Sequence, residues 1–453
     1  MPSDVTFKGY EDVVVQDSLL KTDNVRFRKE KYDSASSGKT YLARLPRGYE
    51  GQFGPGVKAL IPAFYFGMGA SEPKILEFLE NLGLPISKGE LSNLLIENQE
   101  VFHAESDAVY ESGLHSSSYQ QSDTTLTRVD GQNQNCHVVC NPVYTAYRTL
   151  PHTPALAGGA REDRVSVLDA LRNGRPRRFR LNQDALDCLV NVQLSRATRQ
   201  TLASCCSETE MNEADFQKHL TWLMPDLGKQ PHKEIVDAAA IAAYWAETDW
   251  PVIETLLCNA PQYNKLTRWL ALCWVHEGRP YQKLTPVVPL HRELLDDFLK
   301  RFWDYYHKLL DYKKNPNDME RVRLEAAFDD LFATHSGYEA LDERIAKTRA
   351  KKTSLLLVLE HPEIPLHNNA SELGVRRRVR KRDVSFGPRT EKGRRAWDTF
   401  MTLAETARKL DISFYAYLRD RITGAGVIPP LDDLVSQTAK LLRLERPTLS
   451  PSF

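Results

Sequence analysis

The stretch PLHNNASELGVRRRVRKR, residues 365–382, places two amides, Asn368 and Asn369, and one carboxylate, Glu372, directly ahead of a dense run of arginines. A carboxylate suits a hard divalent cation, and neighbouring amides can orient it or contact phosphate and sugar. From Gly374 to Arg395 the basic residues are Arg376, Arg377, Arg378, Arg380, Lys381, Arg382, Arg389, Lys392, Arg394 and Arg395. Only Asp383 and Glu391 oppose them, which leaves a local charge of +8 in a chain of zero formal net charge. Such a block is the footprint of a protein that grips a phosphate backbone. Taken by itself, a basic run is also an ordinary solvated surface.

A second carboxylate, Asp123, opens the strand-like run SDTTLTRV. Read singly, Asp123 is a turn or capping residue, and Glu372 is a first-turn acid complementing a helix dipole, with Ser371 or Asn369 as the cap. Read together, they fit phosphoryl-transfer chemistry in which two metal ions ~3.5–4 Å apart are held by carboxylates converging from distant elements. That chemistry needs a further acid at the end of a central strand. The run PVIETLL ends instead in Cys258 and Asn259. Glu254 lies four strand steps before Cys258, ~13 Å away, too far to substitute.

The elements that must position these residues follow from the patterning. Residues 1–50 are polar with weakly alternating runs (VVVQD, KTYLARL) and read as an arm with short strands. Residues 51–115 turn helical. Pro73 opens one helix, Gly83 closes it and Ser87 caps the next, a spacing that suits a helix-turn-helix-like DNA-binding domain as well as a plain helical hairpin. Three strand-like runs follow (YQQSDTTLTRVDG, NCHVVCNP, YTAYRTL), then a helix ending at Gly174. The order strand, strand, strand, helix, strand predicts an α/β protein with a ribonuclease-H-like core over 116–180, 250–280 and 356–422. Helical insertions occupy 181–249 and 281–355, with PVIETLLCNAP as the buried central strand and long helices from 265 to about 355. Residues 423–453 read as a short peripheral tail.

The 453 residues suffice for a sizeable core. No apolar run approaches the ~20 residues of a spanning helix, and the first residues lack a secretion-signal pattern, so the chain reads as cytoplasmic with no membrane partner. Seven cysteines, an odd number spread widely, argue against a disulfide framework. Cys136 and Cys140 sit in a strand-like run, ~13 Å apart across four strand steps, too far to share one zinc ion. Cys205 and Cys206 lie in a polar helical region. Cys273 and His276 are three apart on one helix face, which reads as a core cysteine and a supporting histidine ahead of a ligand pair. Trp274, Trp303, Tyr305 and Tyr306 read as insertion packing.

Across about residues 13–422 the sequence resembles the transposases of the insertion-sequence 66 family. The strongest stretch is HNNASELGVRRRVRKRDVSFGPRTEKGRRAWDTFMTLAETARKLDISFYAYLRDRI; FGPGVKALIPAF, SDTTLTRVDGQN and LLCNAPQYNKLTRWLALCWVHEGRPYQKL also match. The resemblance implies an Asp-Asp-Glu site. Asp123 stands for the first aspartate, Glu372 for the glutamate of the Asn-Asn-x-x-Glu motif, and His276 and Arg279 for the accessory residues after the second aspartate. That second aspartate falls at Cys258 or Asn259, with a one-residue ambiguity; neither supplies a carboxylate. The family's cysteine-rich amino-terminal zinc segment is not matched. The resemblance further implies Mg2+ or Mn2+ at Asp123 and Glu372. It implies double-stranded DNA (element ends and target) as partner, a homodimer or higher assembly on DNA, companion proteins of the element, and a bacterial, nucleoid-associated location. The expected activity is metal-dependent strand cleavage and transfer at the ends of a mobile element. The rivals are a non-catalytic DNA-binding protein or regulator on the same scaffold, and a structure-specific nuclease of the same fold.

Overall fold

The computed structural model describes residues 4–18, 20–151, 164–258 and 261–444. In the arm, the KTYL part of the second run pairs as predicted: β1 (Lys31–Ser34) and β2 (Lys39–Leu42) form an exposed antiparallel hairpin. The VVVQD run carries no strand. Helices α1 (Pro55–Pro62), α2 (Glu72–Asn81), α3 (Lys88–Ile96) and α4 (Glu100–His115) follow. Gly83 takes φ +72° beyond the end of α2, and the Ser87 hydroxyl accepts from the Glu90 amide to start α3. Ile75, Leu79, Leu91 and Leu95 turn inward at helical spacing and join the main core.

β3 (Tyr119–Val129), β4 (Gln132–Asn141) and β5 (Tyr144–Pro151) form the predicted antiparallel meander. Asp130 and Gly131 turn the first hairpin with positive φ at both positions, as a two-residue connection matching strand twist requires. The next elements are α5 (Arg164–Leu171), β6 (Arg178–Arg180), α6 (Gln183–Cys188), α7 (Arg196–Ser204), β7 (Glu210–Asn212), α8 (Glu213–Leu223) and α9 (Lys229–Trp245). β8 (Thr255–Leu257) then returns alongside β3 in parallel, and β9 (Trp269–Ala271) adds in parallel outside it. The sheet order is β5-β4-β3-β8-β9. Successive residues serve opposite faces: Val138, Thr145 and Tyr147 meet the helix that carries Glu372, whereas Tyr144 and Arg148 meet α4.

After β9 come α10 (Trp274–Gln282), α11 (Pro289–Lys314), α12 (Asp318–Phe332), α13 (Glu339–Arg349) and α14 (Lys352–Leu355). These build a second core around Trp274, Phe302, Tyr305 and Phe328, with Trp303 and Tyr306 packed against it. α15 (Asn369–Ser385), α16 (Glu391–Lys409), α17 (Phe414–Thr423) and α18 (Leu431–Leu441) close the chain.

Several expectations change. The central strand is three residues long, not the whole PVIETLLCNAP run, and the segment after 265 first supplies β9 before its helices begin. The 181–249 region contains the β6–β7 pair, and Ala238–Ala242 of α9 is buried in the main core. α18 is not peripheral. Leu431, Val435 and Ala439 of α18 are fully buried, and the Ser112 hydroxyl of α4 donates to the Asp432 carbonyl at 2.8 Å.

Candidate metal centre and basic helix

Asp123 sits in the middle of β3, and the start of α15 is stitched to that strand beside it. Gln121 and Asp123 point to the same face by the two-residue period. The Gln121 side-chain amide donates to the His367 carbonyl at 2.9 Å and to Asn368 Oδ1 at 3.4 Å. Asn368 Nδ2 donates in turn to the Ser122 carbonyl at 2.8 Å. One turn further along, the Glu372 amide donates to the Asn368 carbonyl at 3.2 Å. Asp123 and Glu372 thus flank a single hydrogen-bonded junction, although some 250 residues separate them in sequence. Asp123 Oδ1 itself accepts from the Thr124 amide at 2.8 Å.

The cap differs from expectation. Asn368 occupies the cap position of α15 and spends its amide on β3, while the Ser371 hydroxyl donates back to the Asn368 carbonyl at 3.1 Å. Asn369 is exposed at the first helical position. On the other face of β3, the Ser122 and Thr124 hydroxyls lie 3.2 and 3.0 Å from the Tyr263 hydroxyl, in the turn after β8. Sequence reasoning misses Tyr263 because a tyrosine in a polar run carries no local signal. Cys258, directly after β8, is buried. Asn259 lies outside the described residues.

From α10, two side chains reach Glu372. Arg279 Nη2 lies 3.3 Å from Oε2, and His276 Nδ1 lies 3.5 Å from Oε1. Their spacing of three puts both on one helix face. Burial pushes the His276 imidazole below its ordinary value, the Glu372 charge opposes that, and Arg279 adds to it. Cys273, at the cap of α10, accepts from the Asn368 amide at 3.4 Å. Donor atoms of Cys273, His276 and Glu372 all lie within 4.8 Å of one another; Asp123 is not part of that group. Glu372 Oε1 is shielded from solvent and makes no hydrogen bond, although a buried carboxylate oxygen ordinarily has one.

The basic block divides in two. Arg376, Arg380, Arg389 and Arg395 are exposed, and so is Lys392, which pairs with Glu97 at 2.8 Å. Arg377 pairs with Glu405, Arg382 donates to the Leu126 carbonyl, and Arg394 pairs with Glu391 and Asp398. Arg378 and Lys381 are buried. Arg378 stacks on Trp397 and meets Asp398 at 3.3 Å; Lys381 donates to the Ala70 carbonyl at 2.7 Å and lies over Tyr65. Burial brings the Lys381 ammonium down to about 7. Gly374 lets the helix approach the sheet, since a Cβ there would stand 2.7 Å from Val138 Cγ1.

Asn368→Ala is expected to destabilise the fold by about 1–3 kcal/mol, the cost of stranding buried polar partners. Urea unfolding measures it. An unchanged midpoint would mean that the junction does not hold α15 to β3.

The fold is a mixed α/β one in which the junction between β3 and α15 lies beside a basic helix. Residues 261–396 match the family described as Transposase IS66 family. The uncharacterized protein y4jO of Sinorhizobium fredii is 31% identical over 299 residues, which covers 65% of this chain and 89% of that protein. The chain belongs to the IS66 transposase family, as its motifs implied. The matched span contains His276, Arg279, Asn368, Glu372 and all of the basic block; Asp123 precedes it. Among the described residues, no helix is long and apolar enough to cross a membrane.

Proposed function

We propose that this transposase-family chain binds double-stranded DNA at the ends of a mobile element and is built to cleave and transfer strands there with Mg2+ or Mn2+. The observation that carries this reading is the Asn368–Ser122 junction, which joins the strand of Asp123 to the helix of Glu372. The sheet order, with three antiparallel strands and then two strands parallel to the first, supports a ribonuclease-H-like core. When bound, the divalent ion supplies Lewis acidity and an activated water. Asp123 and Glu372 would hold it. Arg279, 3.3 Å from Glu372 Oε2, would orient that carboxylate, while Asn369, Arg376, Arg380, Arg389 and Arg395 would take backbone phosphates. In this reading the α2–α3 pair recognises the element ends, and the protein acts as a homodimer or larger assembly.

The absent second aspartate sets the expected activity. Even an outer partner of a metal ligand is worth about 10–100-fold. The chain as it stands should therefore cleave end-bearing duplex with Mn2+ more slowly, by ~100-fold or more, than its Asn259→Asp or Cys258→Asp version. Glu372→Gln should silence whichever version is active. Equal activity in the unmodified chain would mean that another group completes the site. Silence in all versions with DNA binding retained would instead leave a non-catalytic DNA-binding protein.

A further inference from the structure

The donor atoms around Glu372 are not those of a magnesium site alone. Oε2 faces Arg279 and Oε1 faces His276 Nδ1, and the Cys273 sulfur lies within 4.8 Å of a donor atom of both His276 and Glu372. Mg2+ and Mn2+ prefer oxygen; a thiolate with an imidazole selects a borderline or soft ion. We propose that Cys273, His276 and Glu372 form a Zn2+ site joining the start of α10 to the first turn of α15, with a fourth position open to an exogenous oxygen. It shares Glu372 with the hard-ion site of the proposed function, but rests on its own donor set.

Three observations support it. The first is spacing. Two nitrogen or oxygen ligands about 2.0–2.1 Å from a tetrahedral ion lie about 3.4 Å apart, and His276 Nδ1 and Glu372 Oε1 stand 3.5 Å apart. The second is the surroundings of those two atoms. Both are shielded from solvent, and neither makes a hydrogen bond, although each group ordinarily finds a partner when buried. The third is the environment of the sulfur. The Asn368 amide donates to Cys273 Sγ at 3.4 Å, which fixes the sulfur beside the first turn of α15. A hydrogen bond of this kind orients a ligating side chain.

The side chains of His276 and Glu372 remain partly open to solvent, and Arg279 stands half-exposed beside them. Arg279 thus sets beside the proposed site a cation suited to a phosphate or carboxylate oxygen. Three protein ligands with one open position is the pattern of reactive rather than purely structural zinc.

The test is made on the full chain after chelator treatment and without DNA. Co2+ is titrated as a spectroscopic probe, and Zn2+ is measured by competition with a chromophoric chelator. One equivalent of Co2+ should give a sulfur-to-cobalt charge-transfer band that Zn2+ bleaches and excess Mg2+ does not. Cys273→Ser should abolish the band and Cys258→Ser should keep it. His276→Gln and Glu372→Gln, on partly exposed side chains that tolerate replacement, should each weaken Zn2+ binding by at least about tenfold. Absence of the band, its survival in folded Cys273→Ser, or its loss to Mg2+ would overturn the proposal. Because no DNA is present, that failure is separate from failure of the cleavage assay, which bears on the proposed function alone.

Discussion

Arg378→Ala is expected to cost about 3 kcal/mol of stability, the lower end of the range for breaking a buried ion pair. The guanidinium is 1% exposed; it meets Asp398 at 3.3 Å, donates to the Thr149 hydroxyl at 3.1 Å and lies over the Trp397 ring. Asp398 also accepts from the Thr149 amide and hydroxyl at 2.8 and 2.7 Å, which ties β5 to α16. Without Arg378 the aspartate stays buried and keeps Arg394 as a cationic partner at 3.2 Å, so the loss falls at the low end. Exposed Arg376 and Arg380 should behave in the opposite way. Alanine at either should leave the denaturation midpoint in place and flatten the salt dependence of DNA binding by about one phosphate contact. Chemical denaturation and binding isotherms at several salt concentrations separate the two groups. If Arg378→Ala spared the midpoint and weakened DNA binding, the division of the basic block into interior and exterior members would be wrong.

Glu277→Ala should rank beside it, at about 3 kcal/mol. Glu277 is 1% exposed and accepts from Arg344 Nη2 at 2.7 Å, Lys351 Nζ at 2.8 Å and the Thr348 hydroxyl at 2.8 Å. Its removal leaves two cations facing each other where α10 meets α13. Both are partly exposed, so water offsets part of the cost. The consequence reaches the site, because the preceding residue on α10 is His276 and the next turn carries Arg279. Thermal or urea unfolding gives the stability, and the Zn2+ affinity of the same variant reports whether α10 has shifted. A midpoint within error of the parent would show that the insertion does not depend on this carboxylate.

Much of the site is legible in the sequence. The alternation around SDTTLTRV places Asp123 on a strand, and LHNNAS marks the start of the helix that carries Glu372. The three-strand meander follows from its Gly, Asn and Pro punctuation, which acts within a few residues. Short strands are the weak point. Three residues of β8 or β9 are too few for alternation to show, and only pairing with β3 makes them strands. The α18 helix reads as a tail because its apolar residues mean little until α4 supplies a surface.

The basic helix shows where sequence reasoning stops. Its buried stripe is Ser371, Gly374, Arg378 and Lys381, at spacings of three and four. No hydrophobic periodicity marks such a face, so in sequence every arginine looks equally available for phosphate. The sequence by itself determined what local chemistry can encode: turns, caps, the strand acid, the helix acid and the concentration of positive charge. Only the tertiary structure decided which distant groups meet. It brought Cys273 and His276 to Glu372, gave Asn368 to β3 instead of its own helix, and sent Arg378 to Asp398. The physical reason is range. Helix caps and turns are settled by residues a few positions apart, whereas a buried charge or an open ligand atom acquires its partner from whichever element packing sets against it.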